Sequence, residues 1–205
     1  MFAFLKSLLF PISCLACRAD SGTWLCEHCK KSIVYEPKRQ NYPEIHFPIY
    51  TLFQANQTIR TLIHGLKYKW YEEASTLFHK YIKNFLLNIQ RENPRKNIIC
   101  IPVPLHPKKL RQRGFNQSEK LIPSECKKLF IQKIQHTPSQ MGLSRKQRLT
   151  NVKDVFQYNK NLSEENVFVI IDDIVTTGST LHEVARTLKK SGAQYIIGIT
   201  ISRGT

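Results

Sequence analysis

The stretch that decides the fold is Val169-Ile170-Ile171-Asp172-Asp173-Ile174-Val175-Thr176-Thr177-Gly178-Ser179-Thr180-Leu181. Residues 167–171 form an unalternating β-branched run, which is typical of a strand buried on both faces. Two carboxylates, Asp172 and Asp173, end this strand, and a short loop leads into a helix. Gly178 lets the loop approach a ligand closely, and N–H groups at a helix N-terminus bind anions. We therefore predict a phosphate site at the carboxyl end of the strand, with further donors from the hydroxyls of Thr176, Thr177, Ser179 and Thr180.

This pattern resembles the phosphoribosyl diphosphate (PRPP) motif of type I phosphoribosyltransferases, in which four hydrophobic residues, two acidic residues and a Thr-Thr-Gly-x-Thr loop occur together. The resemblance implies that Asp172 and Asp173 accept hydrogen bonds from the ribose hydroxyls. It also places residues 101–105, with Val103 and Pro104, at the diphosphate-binding turn. Without the resemblance, an ordinary strand-to-helix turn with solvated aspartates is the alternative. The loop lacks the Gly-Lys-[Ser/Thr] of a P-loop.

Outward from this stretch, strands and helices alternate, which indicates an α/β fold: a parallel sheet with helices on both faces. The predicted strands are 49–53, 97–104, 167–171 and 195–201. The predicted helices are 58–67, 71–91, 116–135 and 180–191, the last ended by Gly192. Within residues 116–135, Pro123 should break or delay the helix. Residues 33–48, punctuated by three prolines, are predicted to be a linker.

Four cysteines near the N-terminus have the spacing of a metal site: Cys14-x2-Cys17-x8-Cys26-x2-Cys29. Two such pairs complete a tetrahedron around Zn2+, and four thiolate ligands make the site structural. Disulfides, or His28 in place of one thiolate, are the alternatives. Cys100 lies in an apolar run and is expected in the core, and Cys126 has no partner nearby in the sequence.

Length and composition limit the organisation of the chain. Its 205 residues, 41% of them hydrophobic, fit one domain plus a small appendage. We predict an N-terminal arm and zinc module over 1–47 and the phosphoribosyltransferase-like domain over 48–205. Residues 1–11 are apolar but contain Lys6 and lack a charged leading region, so we interpret them as a packing arm rather than a signal peptide. We expect no transmembrane segment and a cytoplasmic protein.

Taken together, the motifs resemble the ComF family (ComFC and GntX-like proteins), which is associated with natural competence and DNA uptake. The resemblance covers almost the full chain and rests on both Cys-x-x-Cys pairs, Ile63-x3-Lys67-Tyr68, residues 101–105, Arg113-Gly114-Phe115-Asn116-Gln117-Ser118, Gln140, Arg145, Arg148-x2-Asn151, Phe156 and residues 172–180. It implies a type I phosphoribosyltransferase fold with an N-terminal zinc module, and PRPP bound with Mg2+. Asp172, Asp173 and Arg113 would then carry any catalysis, with Arg111 and Arg113 beside the leaving diphosphate.

Charge indicates a polyanionic partner. The chain has 31 Lys+Arg against 15 Asp+Glu, which gives a net charge of +16. Residues 108–153 contain twelve of these basic residues and only two acidic residues. Residues 67–71 interleave lysines with aromatic rings, which suits exposed bases of a single strand. Solvated helix faces and buried rings are the alternative. The predicted residues for single-stranded DNA are Lys67, Trp70, Arg111, Arg113, Lys127, Lys128, Arg145 and Arg148.

Three functions remain open at this stage. The first is a competence protein that binds PRPP and single-stranded DNA during uptake into the cytoplasm, with contacts to the uptake machinery at the cytoplasmic face of the inner membrane. The second is an active phosphoribosyltransferase on an unidentified acceptor, since no base-recognition element can be named. The third, a PRPP-sensing regulator of duplex DNA, lacks an evident helix-turn-helix.

Overall fold

The computed structural model describes residues 12–67, 72–135 and 154–204, except for the side chains of Glu72 and Glu73. In chain order, its helices and strands are α1 (Glu27–Lys31), β1 (Tyr35–Gln40), β2 (Ile49–Phe53), α2 (Gln57–Gly65), α3 (Glu72–Glu92), β3 (Asn97–Pro102), α4 (Pro107–Arg113), α5 (Gln117–Lys120), β4 (Gln132–Lys133), β5 (Phe156–Gln157), β6 (Asn166–Val175), α6 (Ser179–Lys190) and β7 (Tyr195–Arg203).

The main sheet has the strand order β1-β2-β7-β6-β3. Strand β1 pairs antiparallel with β2, whereas the pairs β2–β7, β7–β6 and β6–β3 are parallel. The carboxyl ends of β2, β3, β6 and β7 therefore meet at one edge of the sheet. Strands β4 and β5 form a separate antiparallel ribbon. The predicted α/β architecture with a mostly parallel sheet is confirmed.

Helices cover both faces of the sheet because alternate residues of a strand point to opposite sides. Val167, Val169 and Ile171 of β6 are buried in a core that includes residues of α2 and α3. Phe168 and Ile170 are buried in a second core with residues of α6. Burial on both sides explains why residues 167–171 do not alternate between apolar and polar.

Three predicted helices are confirmed within one or two residues. In α2 the Asn56 side chain caps the first turn by accepting from the Ile59 N–H at 2.9 Å. Helix α3 is described from Glu72, and α6 ends before Gly192, whose φ is +100°. Among residues 12–67, 72–135 and 154–204, no helix combines the length and the apolar character that crossing a bilayer requires.

Two predicted segments are wrong. Residues 33–48 are not only a linker, because β1 pairs at the sheet edge, where Pro37 and exposed polar side chains are tolerated. Residues 116–135 are not a helix: α5 ends at Lys120, and Pro123 disfavours its continuation. The chain then runs beside β3, where the Cys100 N–H donates to the Lys127 carbonyl at 2.9 Å.

The cysteine-rich segment packs directly on the main core. Cys14, Leu25 and Cys29 are buried in the same cluster as Phe53 of β2. The Asn56 amide donates to the Ser32 carbonyl at 2.6 Å, which ties the end of α1 to the start of α2. The division at residues 47 and 48 stays a prediction, and the proposed arm at residues 1–11 lies outside the described residues.

Candidate functional site

Asp172 and Asp173 lie at the carboxyl end of β6, where Asp172 is in register with Thr200 of β7. Asp172 Oδ1 accepts from the Ser118 hydroxyl and from the Asp173 N–H, both at 2.9 Å, and Asp173 Oδ1 accepts from the Ile174 N–H at 3.0 Å. Burial, and then the neighbouring Asp173, raise the pKa of Asp172 well above its usual range. Hydroxyl donors or a cation at this position would favour the carboxylate.

The loop after β6 is shaped for close approach of a ligand. Gly178, the N-cap residue of α6, has φ +75°, and a Cβ there would stand 2.5 Å from Ile45 Cδ1. Residues 41–48, the β1–β2 connection, thus pack against the loop. The Thr177 hydroxyl donates to Ser179 Oγ at 3.0 Å. A cavity of about 40 Å³ lies between Asp172 and the loop and is lined by Asp172, Ile174, Val175, Thr176, Gly178, Ser179, Thr180 and Leu181.

The turn after β3 lies at the same sheet edge. The Val103 N–H donates to the Ile171 carbonyl at 3.0 Å and is therefore engaged in the sheet. The Asn116 amide donates to the Val103 carbonyl at 3.0 Å, while Asn116 Oδ1 accepts from the Ser118 N–H at 3.0 Å. Residues 113–118 therefore brace the predicted diphosphate turn, with Pro104 next in the chain.

Ser118 is a candidate site residue that reasoning from the sequence missed. It is fully buried at the start of α5, and its hydroxyl connects residues 113–118 to the aspartate pair on β6. The motif containing Ser118 was noted for its family resemblance, but no local pattern assigns the hydroxyl a partner 54 residues away. Asn116 was missed for the same reason.

Four cations lie on segments close to this edge. Arg113 is half-buried and donates to Gln117 Oε1, whereas Arg111 is exposed on α4. Lys67 Nζ stands 3.9 Å from Asp173 Oδ2. Lys133 was not predicted: burial, and then Lys109, lower its pKa to about 8, although Asp172 opposes this shift. The edge thus combines two carboxylates with several positive groups.

The predicted DNA-binding residues are divided by the structure. Lys127 is exposed and Lys128 is half-buried in the segment that runs along the outer edge of β3. Lys67 lies at the aspartate pair rather than on a separate basic face. Trp70, Arg145 and Arg148 lie outside the described residues, so their contribution stays a prediction.

The four N-terminal cysteines converge as predicted. Their sulfur atoms all lie within 4.8 Å of one another, and those of Cys17 and Cys26 are 3.7 Å apart. A tetrahedral zinc site with Zn–S bonds of about 2.3 Å has sulfur–sulfur edges of about 3.75 Å. All four are free thiols, which argues against the disulfide alternative. The cluster could hold a metal ion.

Comparison with known proteins adds a family match. The family model described as "Phosphoribosyl transferase domain" matches residues 113–204, from Arg113 to the end of β7. Competence protein F of Haemophilus influenzae is 35% identical over 47% of this chain and 46% of its own length. DNA utilization protein YhgH of Shigella flexneri is 32% identical over 66% of this chain and 63% of its own length. Competence protein ComFC of Bacillus subtilis is 26% identical over 75% of this chain and 63% of its own length.

The chain spans between 46% and 63% of the length of these curated relatives. The family match begins at the Arg113 motif and includes the aspartate pair, the glycine loop and both central strands. The printed names of these relatives refer to competence and DNA utilization. In this chain, residues 113–118 and the aspartate pair lie at one sheet edge. The chain is therefore similar to ComF-type competence and DNA utilization proteins, and its residues 113–204 match the phosphoribosyl transferase domain.

Proposed function

We propose that this protein acts in DNA uptake as a competence protein that binds PRPP with Mg2+ and also binds single-stranded DNA. One observation carries the PRPP assignment: the Ser118 hydroxyl joins the family motif at residues 113–118 to Asp172 at 2.9 Å. Two segments distant in the sequence thereby form one site at the carboxyl edge of the sheet, where open α/β folds bind their ligands.

Each part of PRPP has a matching element in this arrangement. Asp172 and Asp173 accept from the ribose hydroxyls. The N–H groups of residues 177–180 donate to the 5′-phosphate, supported by the N-terminus of α6. The diphosphate lies toward Pro104 and Arg113, because Asn116 holds Val103 and so fixes the direction of the turn.

Mg2+ fits the same edge because carboxylate oxygens are the ligands it prefers. Burial, and then repulsion from the neighbouring Asp173, raise the pKa of Asp172, and a bound cation would offset both effects. These two residues would hold the ion together with the oxygens of PRPP. When bound, Mg2+ neutralises charge on the diphosphate.

The four-cysteine cluster fits Zn2+ as its structural ion. Four thiolates suit a borderline-soft cation, and the 3.7 Å separation of Cys17 and Cys26 matches a tetrahedral edge. Cys14 and Cys29 are buried in the main core, so the ion would fasten the N-terminal segment to the sheet.

Single-stranded DNA binding rests on charge. The net charge is +16, and exposed cations such as Arg111 and Lys127 lie on segments that flank the PRPP edge or β3. The names of the relatives connect such proteins with DNA utilization and competence. We place the protein in the cytoplasm, peripheral to the inner membrane at the uptake machinery.

An active phosphoribosyltransferase on an unidentified acceptor is the second candidate. Arg113 and the nearby Lys133, whose pKa is lowered to about 8, are cations of the kind that would hold a leaving diphosphate. Both candidates require PRPP binding, and they differ in whether diphosphate leaves.

A PRPP titration of the whole protein, with and without Mg2+ and with diphosphate release followed, separates them. We expect saturable, Mg2+-dependent binding without diphosphate release, both with and without single-stranded DNA. Diphosphate release on addition of a base or amine would establish the transferase instead. No binding at millimolar PRPP would contradict both.

A further inference from the structure

A second cavity lies away from the PRPP edge, between α3 and the outer side of β3. It has a volume of about 300 Å³, and its walls include Leu86 and Leu87 of α3, Ile98 and Cys100 of β3, and Cys126 and Lys127 of the segment beside β3. Proposed PRPP and metal binding give this cavity no role, and of its lining residues only Lys127 is among the predicted DNA-binding residues. Two of its lining residues are cysteines outside the four-cysteine cluster.

The two cysteines of this cavity are held together by the backbone. Cys100 donates its N–H to the Lys127 carbonyl and accepts from the Leu129 N–H at its own carbonyl, both at 2.9 Å. Both side chains line the same cavity. Through a hydrogen bond, each thiol shifts the pKa of the other. Cys100 is fully buried, whereas Cys126 is partly exposed.

The surroundings make the two thiols chemically different. The hydrogen bond from Cys100 is the main cause that lowers the pKa of Cys126 to about 7, and Lys83 and Lys128 also favour its thiolate, whereas burial and Glu125 oppose it. The pKa of Cys100 is raised by the same hydrogen bond and by burial, so Cys100 stays a neutral thiol. A thiolate is the form that attacks oxidants.

We propose that Cys126 is a peroxide-sensitive modification site and that Cys100 is its resolving cysteine. The Cys126 thiolate attacks one peroxide oxygen, the O–O bond breaks, and sulfenic acid and hydroxide form. The Cys100 sulfur then attacks the Cys126 sulfur, water leaves with the Cys100 proton, and a disulfide results. Both sulfurs are oxidised by one unit each, and the peroxide is reduced by two electrons.

The disulfide would enclose residues 101–125, which include the predicted diphosphate turn and the motif at residues 113–118. Oxidation would thus covalently fix both ends of the segment that shapes the PRPP edge. The chemistry at Cys126 is independent of PRPP or DNA binding, so it can hold even if the proposed function fails.

Peptide mapping of the full-length, metal-loaded protein tests this directly. After hydrogen peroxide treatment, alkylation and trypsin digestion, we expect peptides 97–108 and 121–127 linked, with the loss of two hydrogens. Dithiothreitol should reverse the link. The four clustered cysteines lie on other tryptic peptides, 7–18 and 19–30, and serve as the internal comparison.

Two variants sharpen the result. Cys100→Ser, which keeps a hydrogen-bond donor beside Cys126 but cannot form the disulfide, should leave Cys126 as a sulfenic acid that dimedone traps, and Cys126→Ala should abolish both products. Two outcomes would overturn the proposal. The first is links that involve only peptides 7–18 or 19–30, and the second is dimedone labelling of Cys100→Ser no greater than that of Cys126→Ala. The wild-type mapping alone decides the disulfide, whether or not a variant folds.

Discussion

At the scale of single residues, Asp172 receives hydrogen bonds from two parts of the chain. The Asp173 N–H is its neighbour in sequence, whereas the Ser118 hydroxyl comes from α5. Burial raises the pKa of Asp172, whereas hydrogen bonds from Ser118 and the Asp173 N–H lower it. Each of these donors therefore favours the ionised carboxylate, the form that would accept from ribose hydroxyls. We therefore expect Ser118 to act on PRPP only through Asp172.

Replacing Ser118 by alanine should weaken Mg2+–PRPP binding by at least about tenfold, because a hydrogen bond to a charged group contributes about 1.5–3 kcal/mol. Calorimetric titration measures this loss. Ser124→Ala, at an exposed position beyond α5, is the matched control and should bind as the wild type does. Equal affinities in the two variants would show that Ser118 does not position Asp172.

At the scale of elements, the loop between β6 and α6 packs against residues 41–48, which connect β1 and β2. Gly178 and Gly22 both have positive φ, +75° and +65°. A Cβ at Gly22 would meet nothing within 4 Å, whereas at Gly178 it would stand 2.5 Å from Ile45. Alanine substitutions at these two glycines therefore separate the effect of backbone strain, which both share, from the effect of steric contact with Ile45, which only Gly178 has.

Gly178→Ala and Gly22→Ala should each lose about 1–2 kcal/mol of stability from the left-handed backbone. Gly178→Ala should in addition displace Ile45 and bind PRPP more weakly, since the loop is the proposed phosphate site. Urea unfolding and PRPP titration of both variants check this. Unchanged PRPP affinity in Gly178→Ala would place the phosphate elsewhere.

The elements differ in how far the sequence predicts them. Helices α2, α3 and α6 and strands β6 and β7 carry their own periodicity or apolar run, so local pattern suffices. Strand β1 and residues 126–129 do not, because their pairing depends on an edge that other elements create. The aspartates and Gly178 are likewise local features, while Ser118 and Lys133 reach the site only through the fold.

At the scale of the whole molecule, the cysteine cluster and the sheet share one core. Cys14, Leu25 and Cys29 pack with residues of β2, α2 and α3. A bound ion would therefore affect the stability of more than the N-terminal segment. Strand β1 precedes the predicted division at residues 47 and 48 and pairs with β2 after it. The division itself stays a prediction.

The native protein should contain about one equivalent of zinc, and Cys26→Ser should lose it and unfold at a lower temperature, because structural zinc sites in peptides contribute about 10–16 kcal/mol of apparent binding free energy. Elemental analysis and thermal unfolding measure both effects. Cys126→Ser, outside the cluster, is the control and should keep the metal. Less than about half an equivalent in native protein would contradict a tetrahedral zinc site.

Affinity for single-stranded DNA should fall steeply with salt, with a slope near −3 if about four cations contact phosphates at about −0.7 each. Arg111→Ala and Lys127→Ala should each reduce the slope by about 0.7, while Lys190→Ala at the far end of α6 should not.

Trp70→Ala should reduce the binding free energy for single-stranded DNA by about 1–3 kcal/mol if the ring stacks on a base. Fluorescence anisotropy measures all four, and a salt-independent signal would indicate another role for the basic residues.

The most direct test of the account is PRPP titration of the double variant Asp172→Asn, Asp173→Asn by calorimetry in the presence of Mg2+. Asp20→Asn, exposed in the cysteine-rich segment, is the control. We predict that the wild type and the control bind PRPP alike and that the folded double variant binds at least about 100-fold more weakly, since it loses two charged acceptors. It should still bind single-stranded DNA. Unchanged PRPP affinity in the folded double variant would contradict the assignment of this sheet edge as the PRPP site.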